Sequence, residues 1–120
     1  MRPILLVEDD AVLARGVATV LELDGFPVKI ADRGRTVVGL VASYDPIAVV
    51  IDMKLPDIDG LVVAGAVRAS WPNLPIILIT GRDVTDATIA ATAAELNVVM
   101  LQKPFAIDEL KHLLAQPARR

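Results

Sequence analysis

The feature of this sequence that most restricts its fold is a series of five short apolar runs separated by longer segments. The runs are rich in Val, Ile and Leu and cover residues 4–7, 28–31, 47–51, 76–79 and 98–101. The first, third and fourth do not alternate apolar with polar residues, which is typical of strands in a parallel sheet covered on both faces. They therefore predict five β-strands.

Each predicted strand is followed by a segment with helical spacing. In the first, Leu13, Val17, Val20 and Leu21 recur at helical intervals, and a Gly at position 25 ends the element. Further helices are predicted at about 37–44, over 60–70, from a cap at Asp83 to about 96, and between Pro104 and Pro117. Five successive strand–helix units predict an open α/β fold with right-handed crossovers and helices on both faces of the sheet.

Composition limits what such a chain can be. With 120 residues, 54% of them hydrophobic, we expect one domain over 1–120, with a core at about 3–115 and a short tail over 116–120. The absence of cysteine excludes disulfides and thiolate metal sites, and the single His112 excludes zinc sites built from several histidines.

Charge and hydropathy also predict the setting and the partners. A net charge of −3 and an isoelectric point near 5.0 argue against a nucleic-acid-binding surface. No run approaches the ~20 apolar residues needed to cross a membrane, and the run at the N-terminus is too short for a signal peptide. We therefore expect a cytoplasmic protein with no membrane and no nucleic-acid partner.

Polar residues fall at the ends of the predicted strands. Glu8 and Asp9 follow the first strand, Asp52 ends the third, Thr80 ends the fourth and Lys103 follows the fifth. In an open parallel sheet the ligand crevice lies outside the carboxyl ends of the strands. These side chains are therefore predicted to meet in one site.

Their chemistry points to phosphoryl transfer. Three carboxylates, of Glu8, Asp9 and Asp52, would repel one another unless a cation lay among them and Lys103 beside them. Oxygen ligands with room for water suit Mg²⁺ better than a transition metal. A carboxylate nucleophile (Asp52), a metal, the Lys103 ammonium and the Thr80 hydroxyl together are typical of an acyl-phosphate site.

Four motifs carry a resemblance to a known family. They are LLVEDD at 5–10, DMKLPDIDG at 52–60, TG at 80–81 and KPF at 103–105. In this order and at these separations they resemble the response-regulator receiver domain of two-component signal transduction, in the CheY-like superfamily, over essentially the whole chain. The resemblance implies a flavodoxin-like (βα)5 doubly wound fold with a five-stranded parallel sheet of order 2-1-3-4-5.

The resemblance also assigns roles by position. Asp52 matches the phosphoryl acceptor, Asp9 the direct Mg²⁺ ligand and Glu8 a ligand acting largely through water. The main-chain carbonyl of Lys54 matches a further metal ligand. The peptide before Pro104 matches one that is usually cis in the family.

The remaining positions include departures from the family pattern. Thr80 matches the switch hydroxyl and Lys103 the lysine of the family. Met100 stands where the family commonly has an aromatic switch residue, so the geometry of any switch differs here. Lys54 and Arg82, at positions where the family varies, are predicted to modulate the lifetime of the phosphoryl group by attracting donors or by shielding it from water.

The function implied is a signalling switch. Asp52 would take its phosphoryl group from a sensor histidine kinase or phosphotransfer protein, with Mg²⁺, and the domain would catalyse only its own phosphorylation and autodephosphorylation. The partner downstream would be a separate protein or a fused output domain, and a homodimer through the fourth helix, fifth strand and fifth helix is conceivable. Whether the chain stands alone or belongs to a longer regulator is open.

Two other functions compete with this one. A Mg²⁺-dependent aspartyl-phosphate phosphatase needs a second Asp two residues after the nucleophile, and Lys54 occupies that position. A degenerate receiver that serves only as a phosphorylation-independent scaffold would lack acidic or acceptor residues, which this chain retains. Met100 alone favours the scaffold.

Overall fold

A five-stranded parallel sheet forms the centre of the protein. The structure, a computed structural model, describes residues 2–81 and 87–115. The strands are β1 (Ile4–Val7), β2 (Val28–Ala31), β3 (Ala48–Asp52), β4 (Ile76–Thr80) and β5 (Val99–Gln102). Their order is β2-β1-β3-β4-β5, which confirms the predicted sheet, although β3 and β5 begin one residue later than predicted.

Helices cover both faces of the sheet. They are α1 (Ala11–Leu23), α2 (Val37–Tyr44), α3 (Gly60–Ser70), α4 (Ala87–Glu95) and α5 (Ile107–Leu114), and a 3₁₀ turn (Gly34–Thr36) precedes α2. Asp83, the predicted cap of the fourth helix, lies outside the described residues. Among the helices that the structure describes, none combines the length and the apolar character required to cross a bilayer.

Two apolar cores, one on each face, explain why the strands do not alternate apolar with polar residues. Residues of α1 and α5 pack on one face, and residues of α2, α3 and α4 pack on the other. In β1, Leu5 and Val7 belong to one core while Ile4 and Leu6 belong to the other. Both faces of the strand are therefore removed from water, as in other doubly covered parallel sheets.

The buried face of α1 is not the one that its large apolar residues suggest. Ala14, Ala18 and Leu21 are buried against the sheet. Leu13, by contrast, is 41% exposed, and Val12 is 85% exposed. The inner face therefore combines the small Ala14 and Ala18 with Leu21, and Val17 packs beside them, whereas Val12 and Leu13 lie on the outer surface. The apolar spacing thus located the helix and part of its inner face, Val17 and Leu21, but not the alanines that complete it.

Candidate functional site

The fold brings the predicted site residues to one edge of the sheet. Glu8 and Asp9 directly follow β1, Asp52 is the last residue of β3, Thr80 is the last residue of β4, and Lys103 directly follows β5. Carboxylate oxygens of Glu8, Asp9 and Asp52 all lie within 4.8 Å of one another. The predicted convergence of these acidic side chains is confirmed.

Asp52 is held at both of its carboxylate oxygens. Its Oδ1 accepts a hydrogen bond of 2.9 Å from the backbone N–H of Lys54, and its Oδ2 accepts one of 3.0 Å from the Lys103 ammonium. The residue is only 5% exposed. A nearly buried carboxylate with both oxygens fixed presents its remaining lone pairs in a defined direction.

Glu8 lies beside this pair and is also nearly buried. Its Oε2 accepts a hydrogen bond of 3.1 Å from the Asp10 N–H, and its Oε1 lies 3.8 Å from the Lys103 ammonium. Burial, together with hydrogen bonding to Asp52 and the charge of Asp52, raises the pKa of Glu8 to about 7. At neutral pH the metal-free site therefore retains a proton on Glu8 in part of the molecules, and a cation that binds there displaces it.

Lys103 supplies the positive charge of the site. Partial burial works to lower the pKa of its ammonium, but the hydrogen bond to Asp52 and the charges of Asp52, Glu8 and Asp9 outweigh it and raise the pKa above its ordinary value. The side chain therefore stays protonated. It pairs with both buried carboxylates, those of Glu8 and Asp52.

The acidic group has the chemistry of a site for a hard divalent cation. All three side chains offer oxygen, and two are buried while Asp9 is exposed, which leaves one side open to water and ligands. Mg²⁺ is held in proteins by one or two carboxylates together with water and phosphate oxygens. Glu8, Asp9 and Asp52 fit such an ion. That the Lys54 carbonyl joins them remains a prediction.

The structure also describes several of the other predicted positions, whose roles stay predictions. Thr80 is fully buried, and its carbonyl accepts a hydrogen bond of 2.7 Å from the Lys103 N–H, so the end of β4 is joined to the lysine. Met100 is half-buried in β5 and packs against the core on the α2–α4 face. The Lys103–Pro104 peptide is cis, as predicted. Arg82 lies outside the described residues.

Sequence reasoning missed one residue of the surrounding shell. Asp57 lies between β3 and α3, and its carboxylate accepts hydrogen bonds of 2.9 Å from the N–H groups of Gly34 and Arg35. Desolvation acts to raise the pKa of Asp57, but these N–H groups outweigh it and lower the pKa below its usual value. The only signal in the sequence is the residue before the 3₁₀ turn. Arg33 has no side-chain oxygen that could accept hydrogen bonds from the first N–H groups of the turn.

An apolar surface borders the site. It is formed by α1 residues together with residues that follow β4 and β5: Val12, Leu13, Gly16, Val17, Val20, Gly81, Lys103, Pro104, Phe105 and Ile107. We call it the α1 surface. It contains Val12, which is 85% exposed, and the lysine of the site.

Comparison with sequences of known proteins identifies relatives. The family model described as "Response regulator receiver domain" matches residues 4–115. Response regulator MprA of Mycolicibacterium vanbaalenii is 37% identical over 107 residues, which are 89% of this chain and 46% of that protein. The regulator of the same name from Mycobacterium avium is 35% identical with the same coverage. The chain thus spans less than half the length of these curated relatives.

Solved structures agree with the sequence comparison. The non-phosphorylated HemR receiver domain from Leptospira biflexa has a TM-score of 0.87 at 26% identity, covering 100% of this chain and 99% of that one. The BeF3-activated receiver domain of Klebsiella pneumoniae RstA has a TM-score of 0.81 at 26% identity, covering 95% and 99%. A CheY-like receiver domain protein from Methanospirillum hungatei has a TM-score of 0.85 and covers 93% and 89%, but at 21% identity it shows the fold alone. From the family match and its agreement with the fold and the acidic site, the chain belongs to the receiver domains of two-component response regulators.

Proposed function

We propose that this domain is a phosphorylation-activated switch that accepts a phosphoryl group on Asp52 with Mg²⁺ bound at Glu8, Asp9 and Asp52. The observation that carries the proposal is the environment of Asp52. This residue is nearly buried at the end of β3, accepts a hydrogen bond from Lys103 and is adjacent to two further carboxylates. This is the arrangement expected of a carboxylate nucleophile whose product is an acyl phosphate.

Each residue has a defined part in the proposed reaction. A carboxylate oxygen of Asp52 forms the new O–P bond while the P–N bond of a phosphohistidine breaks, and the freed imidazole takes up a proton. The Lys103 ammonium stabilises the negative charge on the phosphoryl oxygens. Thr80, the last residue of β4, would donate a hydrogen bond to the product. Bound Mg²⁺ would supply further positive charge to the same oxygens.

The domain is proposed to act on itself and not on external substrates. Lys54 occupies the position at which an aspartyl-phosphate phosphatase needs a general acid, and its contact with Asp52 is through the backbone N–H. The face formed by α4, β5 and α5, on which Met100 lies, is proposed to pass the signal to a downstream protein, an output domain or a second copy.

The test is a metal-dependent phosphorylation assay. The protein is incubated with acetyl phosphate, with and without Mg²⁺, and its intact mass is followed. We expect a gain of one phosphoryl group that needs Mg²⁺ and that disappears in Asp52→Asn. The control is Asp45→Asn, since Asp45 is exposed and precedes β3 at the opposite edge of the sheet. A gain that persists in Asp52→Asn would refute the assignment of the acceptor, and failure of the parent with acetyl phosphate, a protein donor and beryllofluoride alike would favour the scaffold function.

The α1 surface supports a protein as the phosphoryl donor. A small donor needs no apolar contact, whereas a histidine carried on another protein must be docked beside Asp52. Exposed apolar side chains next to a charged site are typical of a protein interface. The α1 surface is apolar and extends to Lys103.

Val12→Glu is expected to separate the two kinds of donor. A charge placed in a docking contact should slow transfer from a phosphohistidine-carrying phosphotransfer protein by about tenfold or more. Phosphorylation by acetyl phosphate should stay within about twofold of the parent. Leu23→Glu is the control, because Leu23 is 83% exposed at the far end of the same helix. Equal slowing with both donors, or equal effects of the two variants, would argue against this surface.

A further inference from the structure

The segment between β3 and α3, residues 53–59, determines the immediate surroundings of Asp52. The Lys54 N–H in this segment donates to Asp52 Oδ1, and the Lys54 carbonyl is the proposed additional metal ligand. A shift of this backbone would therefore change both the orientation of Asp52 and the oxygen set offered to a cation.

Backbone contacts join the beginning of this segment to its end. The Gly60 N–H donates to the Met53 carbonyl at 2.8 Å, and Lys54 and Asp59 form an isolated antiparallel bridge. These contacts join the two ends of the segment. They do not tie its middle, residues 55–58, to the rest of the protein.

In the middle of the segment Leu55 and Ile58 pack against the core, and Asp57 adds a polar connection. Its Oδ1 accepts from the Gly34 N–H and its Oδ2 from the Arg35 N–H, each at 2.9 Å. Both donors belong to the first turn of the 3₁₀ element, where backbone N–H groups have no partner within the element. The local cap position is occupied by Arg33, which makes no side-chain cap hydrogen bond. The cap is thus supplied from another loop.

Apolar packing at the same place permits this contact. A Cβ on Gly34 would overlap Ile58 Cγ2 and would lie 2.8 Å from Val63 Cγ2. Gly34 therefore allows the 53–59 segment to lie directly against the 3₁₀ turn. This packing beside Gly34 accompanies the hydrogen bonds from Gly34 and Arg35 to the Asp57 carboxylate.

We propose that Asp57 is a positioning residue for the phosphoryl and metal site. By its two hydrogen bonds to Gly34 and Arg35 it holds the 53–59 segment so that the Lys54 N–H meets Asp52 and the Lys54 carbonyl is available to Mg²⁺. The inference rests on the proposed function and adds a residue that touches neither the phosphoryl group nor the metal.

Mg²⁺ binding to the whole chain tests the proposal. The dissociation constant is measured by isothermal titration calorimetry at constant pH and ionic strength for the parent, Asp57→Ala, Asp57→Asn and the control Asp108→Asn. Asp57→Ala is expected to weaken Mg²⁺ binding by about tenfold, the effect typical of removing a group that orients a metal ligand. Asp57→Asn, which keeps one acceptor, should fall between Asp57→Ala and the parent.

The design separates orientation from charge and from stability. Both Asp57 variants lose the same charge, so a difference between them reports the hydrogen bonds, and Asp108→Asn reports the loss of a charge from the exposed first turn of α5. In NMR spectra the Lys54 amide resonance should move in the Asp57 variants and not in Asp108→Asn. In the phosphorylation assay the Mg²⁺ concentration for half-maximal rate should rise in Asp57→Ala and stay at the parental value in Asp108→Asn.

Specific results would overturn the role of Asp57. A folded Asp57→Ala protein with the affinity of the parent, or an unmoved Lys54 resonance, overturns the inference and leaves the proposed function standing. Should Asp57→Ala fail to fold, an Asp57→Asn protein that equals Asp108→Asn overturns it in the same way. A parent that binds no Mg²⁺ and gains no phosphoryl group overturns the proposed function and this inference with it.

Discussion

Gly60→Ala is expected to lower the free energy of unfolding by about 3 kcal/mol, the upper range for forcing an extra methyl into a packed interior. In most helices the same substitution stabilises by about 1 kcal/mol. Here the added Cβ would overlap the carbonyl oxygen of Asp52 and would lie 2.8 Å from Met53 Cα. Both are backbone atoms at the end of β3, so they cannot move aside as a side chain can. Urea denaturation measures the change, and phosphorylation of Asp52 should slow as well.

Gly65→Ala in the same helix is the matched control. Its Cβ would meet Leu96 Cδ1 at 3.8 Å, which is an ordinary contact. This variant should therefore be as stable as the parent or gain up to about 1 kcal/mol. Equal free energies of unfolding for the two variants would contradict the close approach of α3 to the end of β3.

Lys103→Met is expected to slow phosphorylation by acetyl phosphate about 100-fold, the typical loss when a group that stabilises transition-state charge is removed. The methionine keeps much of the apolar stem but removes the ammonium that lies 3.0 Å from Asp52 Oδ2 and 3.8 Å from Glu8 Oε1. Loss of that charge also raises the pKa of Glu8 further, so a proton competes more strongly with Mg²⁺. Initial rates from intact mass, measured at several Mg²⁺ concentrations, separate the two effects.

Lys111→Met removes the same charge elsewhere. Lys111 pairs with Asp24 at 3.1 Å, a contact between α5 and the end of α1. Its phosphorylation rate should stay within about twofold of the parent. A Lys103→Met protein that is phosphorylated as fast as Lys111→Met would show that Lys103 takes no part in the reaction.

The acidic site could be predicted because its members follow strands at positions that are visible along the chain. Glu8, Asp52 and Lys103 each mark the carboxyl end of an apolar run, and parallel strands bring such ends together. The cap of α1 is also local in sequence: the side chain of Asp10 accepts hydrogen bonds from the N–H groups of Val12 and Leu13. Capping depends on residues two or three positions away, so the sequence alone reveals it.

What the sequence by itself determined is therefore the succession of strands and helices, the sheet that follows from it, and the edge at which the polar side chains collect. These follow from periodicity and from contacts between near neighbours in the chain. Only the tertiary structure decided that α1 turns Ala14 and Ala18 inward, that Gly60 lies against the backbone of Asp52, and that Asp57 caps a turn more than twenty residues before it. Each of these depends on how closely two segments distant in sequence approach, and that distance is set by the packing of both cores together.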